Sequence, residues 1–505
     1  GRFIREQLER VADPAIAKAR LVETLGPGEG LALVSNHVAG RRLSEVLHRI
    51  DPRRSSGYAI GLATASYEWM AAATLLIVGK WFLPIFLKNQ IYTMPQFLEQ
   101  RYGTRIRTVM AIFWLALYVF VNLTSIIWLG SIAVTKVAGV DQNVALMALG
   151  LFALLYQLRG GLRAVAMTDI VQVSLLVLGG LLVSGLTLAE IGAGQGIVAG
   201  FDRLVQEAPD HFHMILTEAN PYYKDLPGIS VLIGGMWIAN LSYWGFNQYI
   251  IQRALAAKDL REAQKGVMFA AYLKLLMPLI IVVPGIAAVM LAPDLVRPDE
   301  AYPSMMRLLP AGLMGLVFAA LVAAIVASTA SKINSVATIF TLDVYNKLGA
   351  PKSEQRLVAV GRITAVTSIV LAILTARPLL GDFDQAFQYI QEYTGFFTPG
   401  IVVIFLLGLF WKRANEAGAL AATVGSFVLS LALKAWMPEL PFMDRMGVVF
   451  LLALVLAVGL SLASPLAPQA NRIQMKDVTF RTSPAFNVGA AGVIVILVAL
   501  YTAWW

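Results

Sequence analysis

The chain has 505 residues, of which 58% are hydrophobic and only 14% are charged, and its mean hydropathy is +0.69. This composition excludes an ordinary soluble protein and predicts a multi-pass membrane protein embedded in a lipid bilayer. The net charge of +9 does not indicate a nucleic-acid partner, because Lys and Arg stand mostly in short clusters between apolar runs. Cysteine is absent, which excludes disulfides, thiolate metal sites and cysteine nucleophiles.

Residues 1–54 differ in composition from the rest of the chain. They are rich in charged residues, and their longest apolar run, residues 31–34, is far too short to span a bilayer. They also lack the apolar stretch of a signal peptide. We therefore expect two regions, a soluble-type segment at 1–54 and a transmembrane domain at 55–505.

Twelve apolar segments follow, and most are near the ~20 residues that a membrane-spanning helix needs. The predicted fold class is therefore all-α. If the first span starts on the outside, most Lys and Arg residues between the spans lie on the inner side, as the positive-inside rule requires. The segments lie at roughly 57–80, 108–135, 140–158, 164–188, 229–252, 266–292, 312–342, 358–376, 384–410, 416–436, 446–464 and 485–505.

One apolar segment, residues 229–253, is interrupted midway by polar and aromatic side chains. They include Asn240, Tyr243, Trp244 and Asn247. A membrane interior penalises unpaired polar groups, so this cluster is not expected to face lipid. Amides and aromatic rings together suit a neutral, hydroxyl-rich solute such as a sugar. Hydrogen bonding between neighbouring helices is the alternative.

Ionisable side chains within apolar segments are a second signal, since a charge at mid-membrane costs on the order of 3 kcal/mol unless it is paired or hydrated. Glu68 lies close to the middle of its segment, and Lys274 lies beyond easy reach of the inner surface. Both positions favour a polar cavity over contact with lipid. Asp169 lies closer to the inner end of its segment, where a structural salt bridge is the alternative.

Hydroxyl groups recur along the segment 312–342. Ser328, Ser331 and Ser335 share one helix face. Together with free backbone carbonyls of a neighbouring interrupted helix, such oxygens are suitable ligands for Na⁺, although small residues also serve ordinary helix packing. Lys332 lies near the same face, where its charge could repel a cation or stand in for one.

Polar residues also precede a helix break in the stretch 382–400. Gln391 and Glu392 stand just before Gly395 and Pro399. This arrangement suits the kinked wall of a solute cavity. A simple proline kink with a polar end is the alternative.

Several motifs of this chain resemble the sodium/solute symporter family: NLSYWGFNQYIIQRALAAKDLREAQKG, SYEWM, ALYVFVNLTS, FAAYLKL and QAFQYIQEYTG. The resemblance covers residues 55–505. It implies the inverted-repeat, LeuT-like transporter fold and transport by alternating access.

The resemblance also implies roles for individual residues. Those matching the family's sugar contacts are Glu68, Asn240, Lys274 and Gln391. Those matching its gates are Tyr243 on the inner side with Trp244 beside it, and Tyr67, Tyr118 and Phe387 towards the outer side. Those matching its sodium site are Ser328, through its hydroxyl, and Ala324, through its carbonyl, while Asp169 matches an acid near the ion exit.

Three features depart from the family pattern. Ala327 stands where a second serine is usual, and Lys332 replaces a residue that is usually apolar. The family's first core helix, expected before Gly57, is not recognisable. We therefore expect residues 1–54 to reflect a frameshift, a mis-set gene start or a fusion. A genuine loss of the first core helix and the helix before it would leave the cation site half built.

The sequence as a whole predicts a sodium-coupled symporter for a hexose such as galactose or glucose. Its partners are a sugar, a sodium ion and the lipid bilayer, and the predicted location is a cell membrane, the inner membrane of a bacterium. No covalent chemistry is implied, so an enzyme is not expected. The alternative is a transport-defective sugar sensor or an uncoupled leak pathway.

Overall fold

A computed structural model describes most of the chain after residue 57, and residues 1–57 lie outside it. The described residues are 58, 60–91, 93–159, 162–220, 222–224, 226–255, 257–293, 295, 301–348, 352–380, 386–465, 473, 475 and 478–505. Within these ranges, side chains are not described for residues 136, 158–159, 162–170, 249, 252–253 and 386–389. The expectations about residues 1–54 and the first core helix therefore remain predictions.

Within these ranges the protein is helical and contains no strand. The α-helices are α1 (Ala65–Ile77), α2 (Leu83–Lys88), α3 (Met94–Arg101), α4 (Thr104–Ala116), α5 (Thr124–Ala138), α6 (Gln142–Arg159), α7 (Leu162–Ile191), α8 (Ile197–Glu207), α9 (Ile229–Ile233), α10 (Gly235–Leu241), α11 (Gln248–Leu255), α12 (Leu260–Leu291), α13 (Ala301–Met306), α14 (Ala311–Thr338), α15 (Glu354–Leu380), α16 (Ala386–Gly395), α17 (Thr398–Phe410), α18 (Glu416–Trp436), α19 (Phe442–Ala463) and α20 (Pro484–Ala503).

The predicted membrane spans agree with these helices. Eleven helical stretches in the described part of the chain are long and apolar enough to cross a bilayer. The remaining predicted segment, 140–158, corresponds to a shorter apolar helix, Gln142–Gln157. The all-α, multi-pass prediction is thus confirmed.

Several spans are continued through short π-helical turns. These turns occupy Val78–Phe82, Leu117–Leu123, Ser242–Phe246 and Ile339–Val344. A π-helical turn widens the helix by one residue and shifts the side chains that follow it, and such turns occur often at functional sites. Two of the four, Leu117–Leu123 and Ser242–Phe246, contribute to the cavity described below.

The spans form a bundle whose centre is built from long helices. α12 packs against α1 and α7, and α14 packs against α6 and α7. α18 and α19 pack on each other and flank α17, while α20 lies at the periphery against α12. Apolar side chains exposed on α20, such as Val488 (73%) and Val495 (66%), form the kind of surface that contacts lipid acyl chains.

The short helix α3 connects several spans at one end of the bundle. Buried Arg101 donates hydrogen bonds to the carbonyls of Gly408 (2.9 Å) and Trp411 (2.9 Å) at the end of α17. The hydroxyl of Tyr102 donates to the carbonyl of Ile404 (2.6 Å). Terminal carbonyls of a helix have no partner within the helix itself, so Arg101 helps to complete the hydrogen bonding at the end of α17, while Tyr102 contacts the middle of that helix.

We expect Arg101→Met to destabilise the protein, because the carbonyls at the end of α17 then lose a charged donor in a buried position. Hydrogen bonds to charged groups contribute roughly 1.5–3 kcal/mol each. The apparent melting temperature of the purified protein in detergent should therefore fall clearly. Arg105→Met, which removes an exposed guanidinium from the neighbouring helix, is the control, and equal melting temperatures for the two variants would contradict the assignment.

Candidate functional site

A cavity lies between the interrupted stretch 235–255 and the broken pair α16–α17. Its empty volume is about 660 Å³, including the part that is open to solvent. Its lining combines amide, hydroxyl and aromatic groups with apolar side chains. The lining residues are Tyr67, Trp114, Leu117, Ala239, Asn240, Ser242, Tyr243, Phe246, Asn247, Gln391, Thr394, Gly395, Thr398, Ile401, Phe442, Met443 and Met446.

The first wall of the cavity is formed where helical structure stops after α10. The π-helical turn Ser242–Phe246 ends at Asn247, whose backbone is extended (φ −84°, ψ 120°). The Asn240 side-chain amide donates to the Met236 carbonyl (3.0 Å). The Asn247 side-chain oxygen accepts a hydrogen bond from the Tyr118 hydroxyl (2.7 Å). The predicted interruption of this apolar segment is therefore real, and its polar residues face protein and cavity.

The opposite wall is formed at the break between α16 and α17. The Ser426 hydroxyl bridges this break, because it donates to the Phe396 carbonyl (2.9 Å) and accepts from the Gly400 amide (3.0 Å). Gly400 leaves room for this contact, since a Cβ there would come within 2.8 Å of the Ala422 carbonyl oxygen. The break is thus stabilised by α18, and it presents Gln391 and Thr394 to the cavity.

Glu68 and Lys274 form an ion pair between α1 and α12. Both side chains are almost fully buried, with 6% and 0% of their surface exposed. The Lys274 ammonium also lies 5.3 Å from the centre of the Trp244 ring, in cation–π geometry. Neither charged residue lines the cavity in this conformation, and Trp244 packs edge-on against Tyr243, which does.

The structure brings together four of the residues that the sequence predicts around a sugar, namely Tyr67, Asn240, Tyr243 and Gln391. Tyr118 touches the cavity only indirectly, through its hydrogen bond to Asn247. Two further residues were predicted to act at the site or near the ion exit, Phe387 and Asp169, and their side chains lie outside the described part of the chain.

The predicted cation ligands lie on α14. Ser328 and Ala324 are both buried, and they are four residues apart on one helix face. Neither lines the cavity. Among the described residues there is also no group of three or more His, Cys, Asp or Glu side chains that could hold a metal ion. The oxygens that Ser328 and Ala324 offer are a hydroxyl and a backbone carbonyl.

An ion-pair cluster beside the cavity was not predicted. Glu392, which follows Gln391 on α16, pairs through one oxygen with Arg445 of α19 (2.5 Å) and through the other with Lys434 of α18 (3.1 Å). Arg445 is itself followed by Met446, which lines the cavity. The sequence shows the charges of Arg445 and Lys434 at the ends of apolar segments, where charged residues are ordinary, so no signal marked them as neighbours of Glu392.

Comparison with known proteins identifies the family. The sequence profile of the sodium:solute symporter family matches residues 54–425. The chain belongs to the sodium:solute symporter family. This symporter is 48% identical over 469 residues to the sodium/glucose cotransporter of Vibrio parahaemolyticus, covering 89% of this chain and 86% of that protein. It is 35% identical over 407 residues to the sodium/myo-inositol cotransporter 2 of Bos taurus, covering 74% of this chain and 60% of that protein.

The fold of the symporter also matches a solved structure. It superposes on the substrate-bound, outward-open state of a Na⁺-coupled sialic acid symporter with a TM-score of 0.72 at 20% identity, covering 88% of this chain and 91% of that chain. The predicted LeuT-like, inverted-repeat fold is thereby confirmed. In this fold, substrate sites lie beside interrupted helices, and the cavity here lies between two such interruptions.

We expect the buried pair of Glu68 and Lys274 to be strongly coupled energetically. Glu68→Gln or Lys274→Met alone leaves a buried charge without its partner, which costs about 3–5 kcal/mol. The double variant leaves neither charge and should be more stable than either single variant, measured as the apparent melting temperature without sugar. Lys265→Met, which disrupts the exposed pair with Glu262 on the same helix, should have little effect. Additive effects of the two substitutions would contradict this expectation.

The Glu392 cluster should position Gln391 and Thr394. In Glu392→Gln the ion pairs to α18 and α19 are weakened, so α16 becomes less well positioned and the solute concentration for half-maximal transport should rise roughly three- to tenfold. The maximal rate at saturating solute should change much less. Glu439→Gln, which disrupts the exposed pair with Lys224, is the matched control because exposed pairs contribute little. An unchanged half-saturation concentration in Glu392→Gln would contradict the role of Glu392 in positioning Gln391 and Thr394.

Proposed function

We propose that this symporter couples the inward movement of Na⁺ to the uptake of a hexose-class sugar by alternating access. The observation that carries the proposal is the cavity between two interrupted helices, lined by the amides of Asn240, Asn247 and Gln391 and by aromatic rings. The 48% identity to a sodium/glucose cotransporter supports the same solute class. The supporting relatives are transporters rather than enzymes, and a bacterial inner membrane is the proposed location.

The chemistry of the lining suits a neutral, polyhydroxylated ring. Amide side chains both donate and accept hydrogen bonds, so they match hydroxyl groups, which do the same. Tyr67 and Tyr243 supply flat apolar faces against which the C–H face of a sugar can pack. Glucose and myo-inositol, the solutes named for the two relatives, are both six-membered rings that carry several hydroxyl groups. The proposal therefore extends to a class of solutes rather than to one epimer.

Glu68 and Lys274 contribute to sugar binding in this proposal after their ion pair opens towards the cavity. Each charged group can exchange its partner for sugar hydroxyl groups, and hydrogen bonds to charged groups contribute about 1.5–3 kcal/mol. Trp244 lies against the Lys274 ammonium and next to Tyr243 at the cavity. Movement of this aromatic pair therefore gives the charged pair access to the solute. Tyr243 serves as the inner gate, and Tyr118 and Phe387 act towards the outer gate.

Na⁺ binds in this proposal at α14, through the Ser328 hydroxyl and the Ala324 carbonyl. Both residues are buried, and Asp169 lies on α7, which packs against α14, as the acid of the ion exit. A cation that stabilises the outward-open state raises sugar affinity by linkage, typically five- to 150-fold. A transport-defective sensor or an uncoupled leak is the competing function, and it predicts no such linkage.

Uptake into proteoliposomes tests the proposal. With an inward sodium gradient, labelled glucose or galactose should accumulate above its external concentration, because the gradient supplies the free energy of uphill transport. A potassium gradient should give equilibration at most. Sugar binding without sodium-driven accumulation would rule out the symporter and leave the sensor, and equilibration in both gradients would leave the leak.

A pair of glutamine variants checks that uptake passes through this cavity. Gln391→Ala removes a cavity amide, and its half-saturating sugar concentration should rise about tenfold, the upper range for one hydrogen bond. Gln195→Ala removes an exposed amide far along the chain and should behave as the unmodified protein.

A further inference from the structure

Lys332 is the buried charge of α14 that the proposed transport cycle has not yet used. Its side chain has no exposed surface, although an apolar side chain would fill the same space without the cost of burying an ammonium group. It lies four residues after Ser328, one helical turn further along the same face.

The Lys332 ammonium contacts residues outside α14, in a turn that borders the sugar cavity. Its ammonium donates a hydrogen bond to the Asn122 side-chain oxygen (2.5 Å) and lies 5.3 Å from the centre of the Tyr118 ring. Both partners belong to the π-helical turn Leu117–Leu123, where the Asn122 amide donates to the Leu117 carbonyl (3.0 Å). Leu117 lines the cavity. A movement of the ammonium therefore changes its contacts with this turn.

The same contacts continue to the interrupted stretch on the other side of the cavity. Tyr118, whose ring faces the Lys332 ammonium, donates its hydroxyl hydrogen to Asn247 (2.7 Å). Asn247 is the extended residue at which helical structure stops, and it lines the cavity. One set of contacts thus joins the proposed cation helix, the π-helical turn and the break beside the sugar.

We propose that Lys332 is the positioning residue through which an ion on α14 changes the affinity of the sugar cavity. The inference rests on the proposed sodium/sugar symport. A sodium ion at Ser328 and the ammonium one turn away carry like charges and repel each other. Ion binding therefore holds the ammonium against Asn122 and Tyr118, which it already contacts, and the Tyr118–Asn247 hydrogen bond transmits that restraint to the cavity wall. Lys332 thus lowers the affinity for the ion and makes the sugar affinity depend on whether the ion is bound.

This role predicts that Lys332→Met raises the affinity for sodium and lowers the effect of sodium on sugar binding. In Lys332→Met the repulsion is gone, so the dissociation constant of sodium, measured by binding of labelled sodium without sugar, should fall at least threefold. The ratio of sugar dissociation constants without and with sodium should at the same time fall from the wild-type value, expected on the order of tenfold or more, to less than twofold. A residue that only stabilised the fold would weaken both binding events together.

The experiment is equilibrium binding of labelled sugar to the purified full chain in lipid nanodiscs, over a sodium series at constant ionic strength with choline. Lys332→Arg keeps the charge and should keep the sodium effect. Tyr118→Phe tests the same path from the other end, and it should lose the sodium effect on sugar without raising sodium affinity. Thr329→Val, which removes a hydroxyl that bonds to the Ile325 carbonyl within α14, should match the unmodified protein.

The outcomes separate this inference from the proposed function. Sugar binding by the unmodified protein that ignores sodium would overturn symport, and the inference with it. A sodium-dependent unmodified protein together with a Lys332→Met variant that keeps the full sodium effect would overturn the inference alone. The third outcome is that Lys332→Met loses all sugar binding while Tyr118→Phe remains fully sodium-dependent. Lys332 would then be only a structural residue or a fixed positive charge, and the inference would also be overturned.

Discussion

Inside a membrane each backbone N–H and C=O group needs a partner supplied by the protein, and this requirement decides where a spanning helix can be interrupted. The symporter meets it at two breaks that face each other across the cavity. At the first, Asn247 leaves helical geometry, and its carbonyl accepts hydrogen bonds from the amides of Ile250 (3.1 Å) and Ile251 (3.0 Å). At the second, the Ser426 hydroxyl satisfies the carbonyl before the break and the amide after it. Both breaks beside the cavity thus keep these backbone groups hydrogen-bonded, the first locally and the second through α18.

The buried charges obey a related constraint, and they connect helices that are distant in the chain. Glu68 and Lys274 join α1 to α12, and Glu392 joins α16 to α18 and α19. Near the ends of α4 and α14, Arg107 pairs with Asp343. Each pair offsets a desolvation cost that neither partner could bear alone. The same pairs limit how the helices can move relative to one another, which matters in a protein whose function requires alternating access.

The cavity and the residues proposed for the cation lie in different parts of the bundle. The cavity is lined by α1, α4, α10, two of the π-helical turns, α16, α17 and the start of α19. The hydroxyl and carbonyl oxygens proposed for the cation lie on α14, away from that lining. Coupling between the two therefore has to pass through intervening side chains, and the contacts of Lys332 with the turn Leu117–Leu123 are one physical route.

Hydropathy alone predicted the spans, because a helix in lipid needs about twenty apolar residues whatever its neighbours are. The segment 416–436, for example, coincides with α18 (Glu416–Trp436). The polar interruptions were equally visible, since Asn240, Tyr243 and Gln391 stand out in apolar surroundings, and all three line the cavity. Met443, Met446 and Trp114 line it too, but in sequence they cannot be told from apolar residues that face lipid or other helices.

The sequence by itself determined that this is a multi-pass helical membrane protein, where its spans lie, and which polar residues are too costly to expose to lipid. Only the tertiary structure decided which of these residues meet. Glu68 and Lys274 are separated by 206 residues, and Tyr118 and Asn247 by 129. Periodicity along one helix carries no information about the partner on another. That partner is set by how the helices pack, because packing brings together side chains that local spacing cannot relate.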